Sequence, residues 1–119
     1  MATLEQHSEP RLHVRWHVDA LVEGRDLYHG FIKDISLKGT AIFLEQNLQK
    51  AKSIKLHIHV PPVAKNTQPR IMEVSGRVVY TSYDSNEGYF HVGVSFTGFK
   101  SSSDQEYLQA RIEAFNRAK

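Results

Sequence analysis

Two short groups of residues combine side chains that could bind a ligand. The first is Arg11-Leu12-His13-Val14-Arg15, with two arginines four positions apart. A guanidinium offers five donors in a flat fork, so a pair can clamp anionic oxygens or lie against a planar ring. The second is Asp34-Ile35-Ser36-Leu37-Lys38-Gly39, which packs an acid, a hydroxyl and a glycine into one link. The arginine spacing alone is weak, since seven arginines in 119 positions give about 0.4 such pairs by chance. Its plain reading is two arginines on the wet face of a strand. D-x-S-x-x-G is rarer, at about 0.025 chance matches for this composition. Its plain reading is a turn, where Asp and Ser bond nearby backbone N–H groups and Gly takes a positive φ.

The elements that carry these groups follow from hydrophobic periodicity. Leu12, Val14, Trp16, Val18, Ala20 and Val22 share one parity, and Arg11, His13, Arg15, His17 and Asp19 the other. Period two predicts a strand from Leu12 to Val22 with one buried face, closed by a turn at Glu23-Gly24-Arg25-Asp26. Further strands are expected at Tyr28–Ile35, Gly39–Leu44 and Ile54–Val60, the last ended by Pro61-Pro62. An exposed loop is expected over 63–69. Ile71–Tyr83 reads as a long strand bent near Gly76, then a hairpin loop at 84–88, then a strand Tyr89–Phe96. The period changes after Ser101-Ser102-Ser103. Gln105 and Glu106 suggest a capping box, and Leu108, Ile112 and Phe115 form a helical stripe. The expected fold is therefore all-β with a C-terminal helix (about 102–118): a six-stranded antiparallel barrel, split or Greek-key-like, with the helix over a wall or an opening. Residues 1–10 read as a flexible tail and 11–119 as one domain.

Composition narrows the function classes. The chain has 119 residues, 40% hydrophobic and 24% charged, with no cysteine. That fits one folded domain and excludes disulfides, thiolate metal sites and cysteine nucleophiles. The charge of +2 is too small to call for a nucleic-acid polymer as partner. Protonating the seven histidines would raise it strongly at low pH, which reads as a solubility effect. No apolar run approaches the length of a membrane span, and the first residues lack a basic-then-apolar signal pattern. A cytoplasmic location is expected.

Arg11…Arg15 followed by Asp34-x-Ser36-x-x-Gly39 resembles the R-x-x-x-R and (D/N)-x-S-x-x-G signature of PilZ domains. Gly76-Arg77-Val78-Val79-Tyr80 is similar to that family's "GRVV" strand and Val92-Gly93-Val94-Ser95-Phe96 to its "vGv-F" strand. The resemblance implies a six-stranded barrel and a receptor site for the bacterial second messenger cyclic di-GMP, bound as one or two molecules per chain. By position, Arg11 and Arg15 would grip the ligand, and Asp34, Ser36 and Gly39 would form the loop on its other side. Pro10, His13, Lys38 and Arg77 are candidates for the surroundings. The ligand's chemistry suits them. A guanidinium can bond guanine O6 and N7, hold a phosphate or stack on a purine, a set of roles lysine lacks. Asp34 can accept from guanine N1–H and N2–H or orient an arginine, and Ser36 can bond a phosphate or the loop backbone. Gly39 lets the ligand approach closely.

The implied function is a stand-alone, one-domain adaptor. Its N-terminal segment would change conformation on binding cyclic di-GMP and signal to an unidentified protein effector in motility, adhesion or exopolysaccharide control. The alternatives are a PilZ-like interaction module acting without nucleotide, as in type IV pilus systems, and a small barrel binding single-stranded nucleic acid. No enzyme is expected, because no nucleophile–base order, phosphate-cradling glycine loop or paired-carboxylate motif occurs. No cofactor and no metal are expected either. His57 and His59 share a strand face but read as exposed positions, since zinc needs three or four ligands and His29 or His91 would join only if the fold brought them near. Trp16 reads as core.

Overall fold

The apolar parity of the first segment decides which way the chain turns inward. Leu12, Trp16, Val18, Ala20 and Val22 are all buried. In the computed structural model, which describes residues 10–48, 52–62 and 67–117, the regular ladder of β1 (His17–Val22) starts later than the alternation does. Leu12 reaches Ile35 instead through a paired bridge, N to O at 2.8 Å and O to N at 2.9 Å. The segment before β1 therefore crosses the end of β2 (Asp26–Ile35). The expected tail falls outside the described residues except at Pro10, as do residues 63–66 of the expected loop and the last residue of the expected helix.

The remaining strands are β3 (Gly39–Leu44), β4 (Ser53–Val60), β5 (Arg70–Asp84) and β6 (Tyr89–Phe99). They close into an antiparallel barrel in the order β1-β2-β3-β6-β5-β4. Val18, Ile32, Ile42, Leu44, Leu56, Ile58, Met72, Val74 and Val92 are fully buried in its core. The register of β5 with β6 shifts between Ser75 and Gly76 and again between Val78 and Tyr80. These bulges supply the bend expected near Gly76, and they let β6 stay paired to Phe99, three residues past the expected end. At the β1–β2 turn Glu23 and Gly24 both take positive φ, 54° and 72°. The strained Glu23 is fixed to Ser53, whose N–H donates to its carboxylate at 2.8 Å and whose carbonyl accepts its N–H at 2.9 Å.

The helix α1 (Ser102–Arg117) lays Leu108 and Ile112 on the core, while Phe115 is 38% exposed, so the stripe ends one turn early. Its cap is Ser101, whose Oγ accepts from the Ser103 N–H at 3.2 Å. Three residues on stands Asp104, not a glutamate, and its carboxylate is turned to Arg70 at 2.9 Å. Arg70 and Arg111 lie 4.5 and 5.8 Å from the Tyr107 ring, and Arg111 lies 5.3 Å from that of Trp16. The helix is thus fastened over the start of β5 and the Trp16 end of the barrel.

One ion cluster on the outer wall yields a pH prediction. Glu73 on β5 faces Lys55 at 3.4 Å, His57 at 3.2 Å and Lys100 at 3.7 Å. Desolvation works to raise its pKa, but the His57 hydrogen bond and the charges of Lys100 and Lys55 outweigh it and hold it below 4.5. A lowered carboxylate pKa stabilises the fold above the unfolded value and stops doing so as pH falls through the folded one. Glu73→Gln should therefore lower the urea midpoint near neutrality, and the difference from the parent should close as the pH drops well below 4.5. A constant difference across that range would show that the carboxylate's charge is not what matters.

Candidate functional site

The Asp34–Gly39 link is held by its own polar side chains. Ser36 Oγ accepts the Lys38 N–H at 3.1 Å, and the Ser36 N–H donates to the Gly39 carbonyl at 2.8 Å. Thr40 Oγ1 donates to the Asp34 carbonyl at 2.6 Å. Ser36 and Thr40 are buried, so these bonds form out of reach of competing water. Gly39 serves a different need from the one a turn suggests. Among the described glycines only Gly24 and Gly88 have positive φ. A β-carbon on Gly39 would instead collide with the Val94 carbonyl oxygen of the paired strand β6.

Arg11 closes onto this link from the segment that crosses β2. Its Nε and Nη2 donate to Asp34 Oδ1 at 2.9 and 2.5 Å, and Nη1 to Ser36 Oγ at 3.4 Å. The Arg11 side chain remains 34% exposed while that of Asp34 is 13% exposed. The arginine is thus partly exposed above an acid that is largely covered. Beside it opens a cleft of about 430 Å³ lined by Arg11, Lys38, Ala41, Val79, Tyr80 and Ser95, among others.

Of the residues expected from sequence, Arg11, Asp34, Ser36 and Gly39 come together here, and Lys38 lines the same cleft. Arg15 goes elsewhere: its guanidinium lies 5.0 Å over the Phe43 ring, and it borders a second cleft of about 380 Å³ with Trp16, His17 and His59. Pro10 and His13 are exposed. Arg77 is exposed on β5 opposite Ser95 and does not line the first cleft. His57 and His59 part company, His57 to Glu73 at 3.2 Å and His59 to Asp19 at 3.1 Å.

The sequence reading passed over Tyr80, which forms a wall of the cleft, and Gly93, against which its ring lies flat enough that a β-carbon would strike it. A glycine inside a strand often marks such a close approach, and that was the available signal. Partial burial pushes the Tyr80 phenol pKa above 10, the Asp34 charge adds to the rise, and Arg11 opposes it. The phenol is thus a neutral donor beside the carboxylate.

The PilZ domain family model matches residues 5–114. No curated protein matches the chain. Among solved structures, the Bacillus subtilis inhibitor of motility MotI/DgrA superposes with a TM-score of 0.78 at 18% identity over 93% of this chain. The PilZ domain of YcgR from Escherichia coli, solved with c-di-GMP, gives 0.57 at 16% identity over 92% of this chain and 88% of its own. The K. pneumonia MrkH–c-di-GMP complex gives 0.57 at 16% over 93%. The chain spans about half the length of MotI/DgrA and of MrkH, 51% and 54%. At these identities the likeness is one of fold. Among the described residues no helix is long and apolar enough to cross a membrane.

Proposed function

The chain belongs to the PilZ domain family, and from that premise we propose that it is a cytoplasmic, non-enzymatic receptor for cyclic di-GMP that signals to a protein partner. The observation that carries the reading is Arg11 anchored on Asp34 and Ser36 at the edge of an open cleft. A guanidinium already held by an acid and a hydroxyl loses little freedom when it goes on to meet a guanine or a phosphate. Asp34 orients it, Ser36 and Gly39 shape the floor, and Lys38 adds positive potential. Arg15, stacked on Phe43, joins the ligand by swinging off that ring. The YcgR and MrkH structures, both with c-di-GMP, support the choice of ligand.

In this reading the residues before Arg11 are drawn over the barrel as Arg15 joins the ligand, and the ordered segment with its nucleotide becomes the surface a partner recognises. Regulation of motility is supported by the fold shared with MotI/DgrA. Adhesion and exopolysaccharide control are further outputs open to such an adaptor. Calorimetry tests the reading with cyclic di-GMP, GTP and a single-stranded oligonucleotide. Saturable heat with the first alone is expected, at one or two ligands per chain. Arg15→Ala should weaken it by about 1.5–3 kcal/mol, the scale of a hydrogen bond to a charged group. Binding of the oligonucleotide instead, or of none of the three, would reject it; the last result would favour an interaction module acting without nucleotide.

A further inference from the structure

Three imidazoles surround one carboxylate on the outer wall of β1, β2 and β4. Asp19 stands opposite His29 in the β1–β2 register, His17 precedes it by two positions on the same face, and His59 reaches in from β4. Asp19 Oδ1 lies 2.5 Å from His29 Nδ1 and 3.1 Å from His17 Nε2, while Oδ2 lies 3.1 Å from His59 Nε2. The ligand atoms of His17, Asp19 and His29 all fall within 4.8 Å of one another. A tetrahedral zinc ion with legs of about 2.0–2.1 Å sets neighbouring ligand atoms about 3.3 Å apart. Small side-chain rotations bring these three atoms to that spacing.

We propose that His17 Nε2, His29 Nδ1 and Asp19 Oδ1 form a binding site for a divalent transition-metal ion of the class that favours imidazole nitrogen, zinc being the representative. His59 holds Oδ2 and so fixes the plane of the carboxylate, leaving Oδ1 for the ion; bonds of this kind to metal ligands commonly tune affinity. The side chains of His29 and His17 are 64% and 44% exposed, so an ion enters without any opening of the barrel. Three protein ligands leave a fourth position for water. His57 shows that the convergence is selective: it is paired with Asp19 across β1 and β4, yet its ring turns to Glu73. The bound ion ties β1 to β2 two residues after Arg15.

Calorimetry on the full chain with zinc chloride, and with magnesium chloride as the hard-cation control, tests the site. One zinc per chain and no magnesium are expected, with a rise in thermal midpoint on adding zinc. His29→Ala and His17→Ala should each weaken zinc binding at least about tenfold and abolish the rise, while His57→Ala should behave as the parent. Both ligand residues are surface positions, and circular dichroism verifies that the variants fold. Zinc binding that is absent from the parent, or that survives unchanged in both ligand variants, overturns the proposal. His17 borders the Arg15 cleft and His29 does not, so cyclic di-GMP calorimetry on His29→Ala, expected to match the parent, keeps the zinc result apart from the nucleotide reading.

Discussion

Arg11→Ala should abolish saturable cyclic di-GMP binding at concentrations that saturate the parent, a loss of about a hundredfold or more. The size follows from the double use of the side chain. Nε and Nη2 are spent on Asp34 and Nη1 on Ser36, and in the proposed complex the second Nη hydrogens and the face of the guanidinium meet the ligand. Two bonds to charged groups at about 1.5–3 kcal/mol each give the hundredfold floor. Asp34, its side chain 13% exposed, would also face the ligand's phosphates without its counter-charge. Arg11→Lys should recover little, since one ammonium cannot replace a fork that bonds in two directions. Asp34→Asn separates the two roles: it keeps an acceptor for the guanidinium and should lose less than Arg11→Ala. Calorimetry on the three variants checks the order, and an Arg11→Ala chain that binds like the parent would remove the arginine from the site.

How far the sequence carried depended on whether a feature was local. The alternation from Leu12 to Val22 marked the buried face correctly because side-chain parity is set by backbone geometry alone. It could not show that the ladder begins only at His17, since Leu12 keeps the same parity while bridging Ile35. The extra length of β6 was invisible for a related reason. Its partner carries two bulges, and a register shift leaves no mark on the periodicity of the opposite strand.

The candidate site divides in the same way. Asp34, Ser36 and Gly39 were legible because a turn gathers neighbours in sequence. Tyr80, Val79 and Ser95 were not, because their presence in the cleft depends on β3 lying beside β6 and β6 beside β5. The histidines show the cost of reading spacing without topology. His57 and His59 looked like a pair, yet neighbouring strands supply each with a different acid, Glu73 on β5 and Asp19 on β1. Three of the cluster's residues, His17, Asp19 and His29, needed only the β1–β2 hairpin register to be brought together.

Gly39→Ala should destabilise the fold by about 2–3 kcal/mol, near the upper end of what an overpacked core position costs, whereas Gly93→Ala should leave the melting point close to the parent's. Both added methyl groups meet an atom too close to accept, and what decides the outcome is whether that atom can retreat. At Gly39 it is the Val94 carbonyl oxygen, fixed in the β3–β6 ladder. Relief requires the two strands to part where the Ser36 N–H and the Gly39 carbonyl close the Asp34–Gly39 link. For a domain of this size such a loss lowers the thermal midpoint by roughly 10 °C. At Gly93 the atoms belong to the Tyr80 ring, which is 43% exposed and can swing toward solvent. That movement removes a wall of the Arg11 cleft, so the Gly93→Ala defect should appear as weakened cyclic di-GMP binding in a chain that still melts normally. Thermal melts and calorimetry on the two variants separate the effects. Equal melting points would show that the β3–β6 backbone contact is looser than drawn. Unchanged affinity in Gly93→Ala would show that Tyr80 takes no part in holding the ligand.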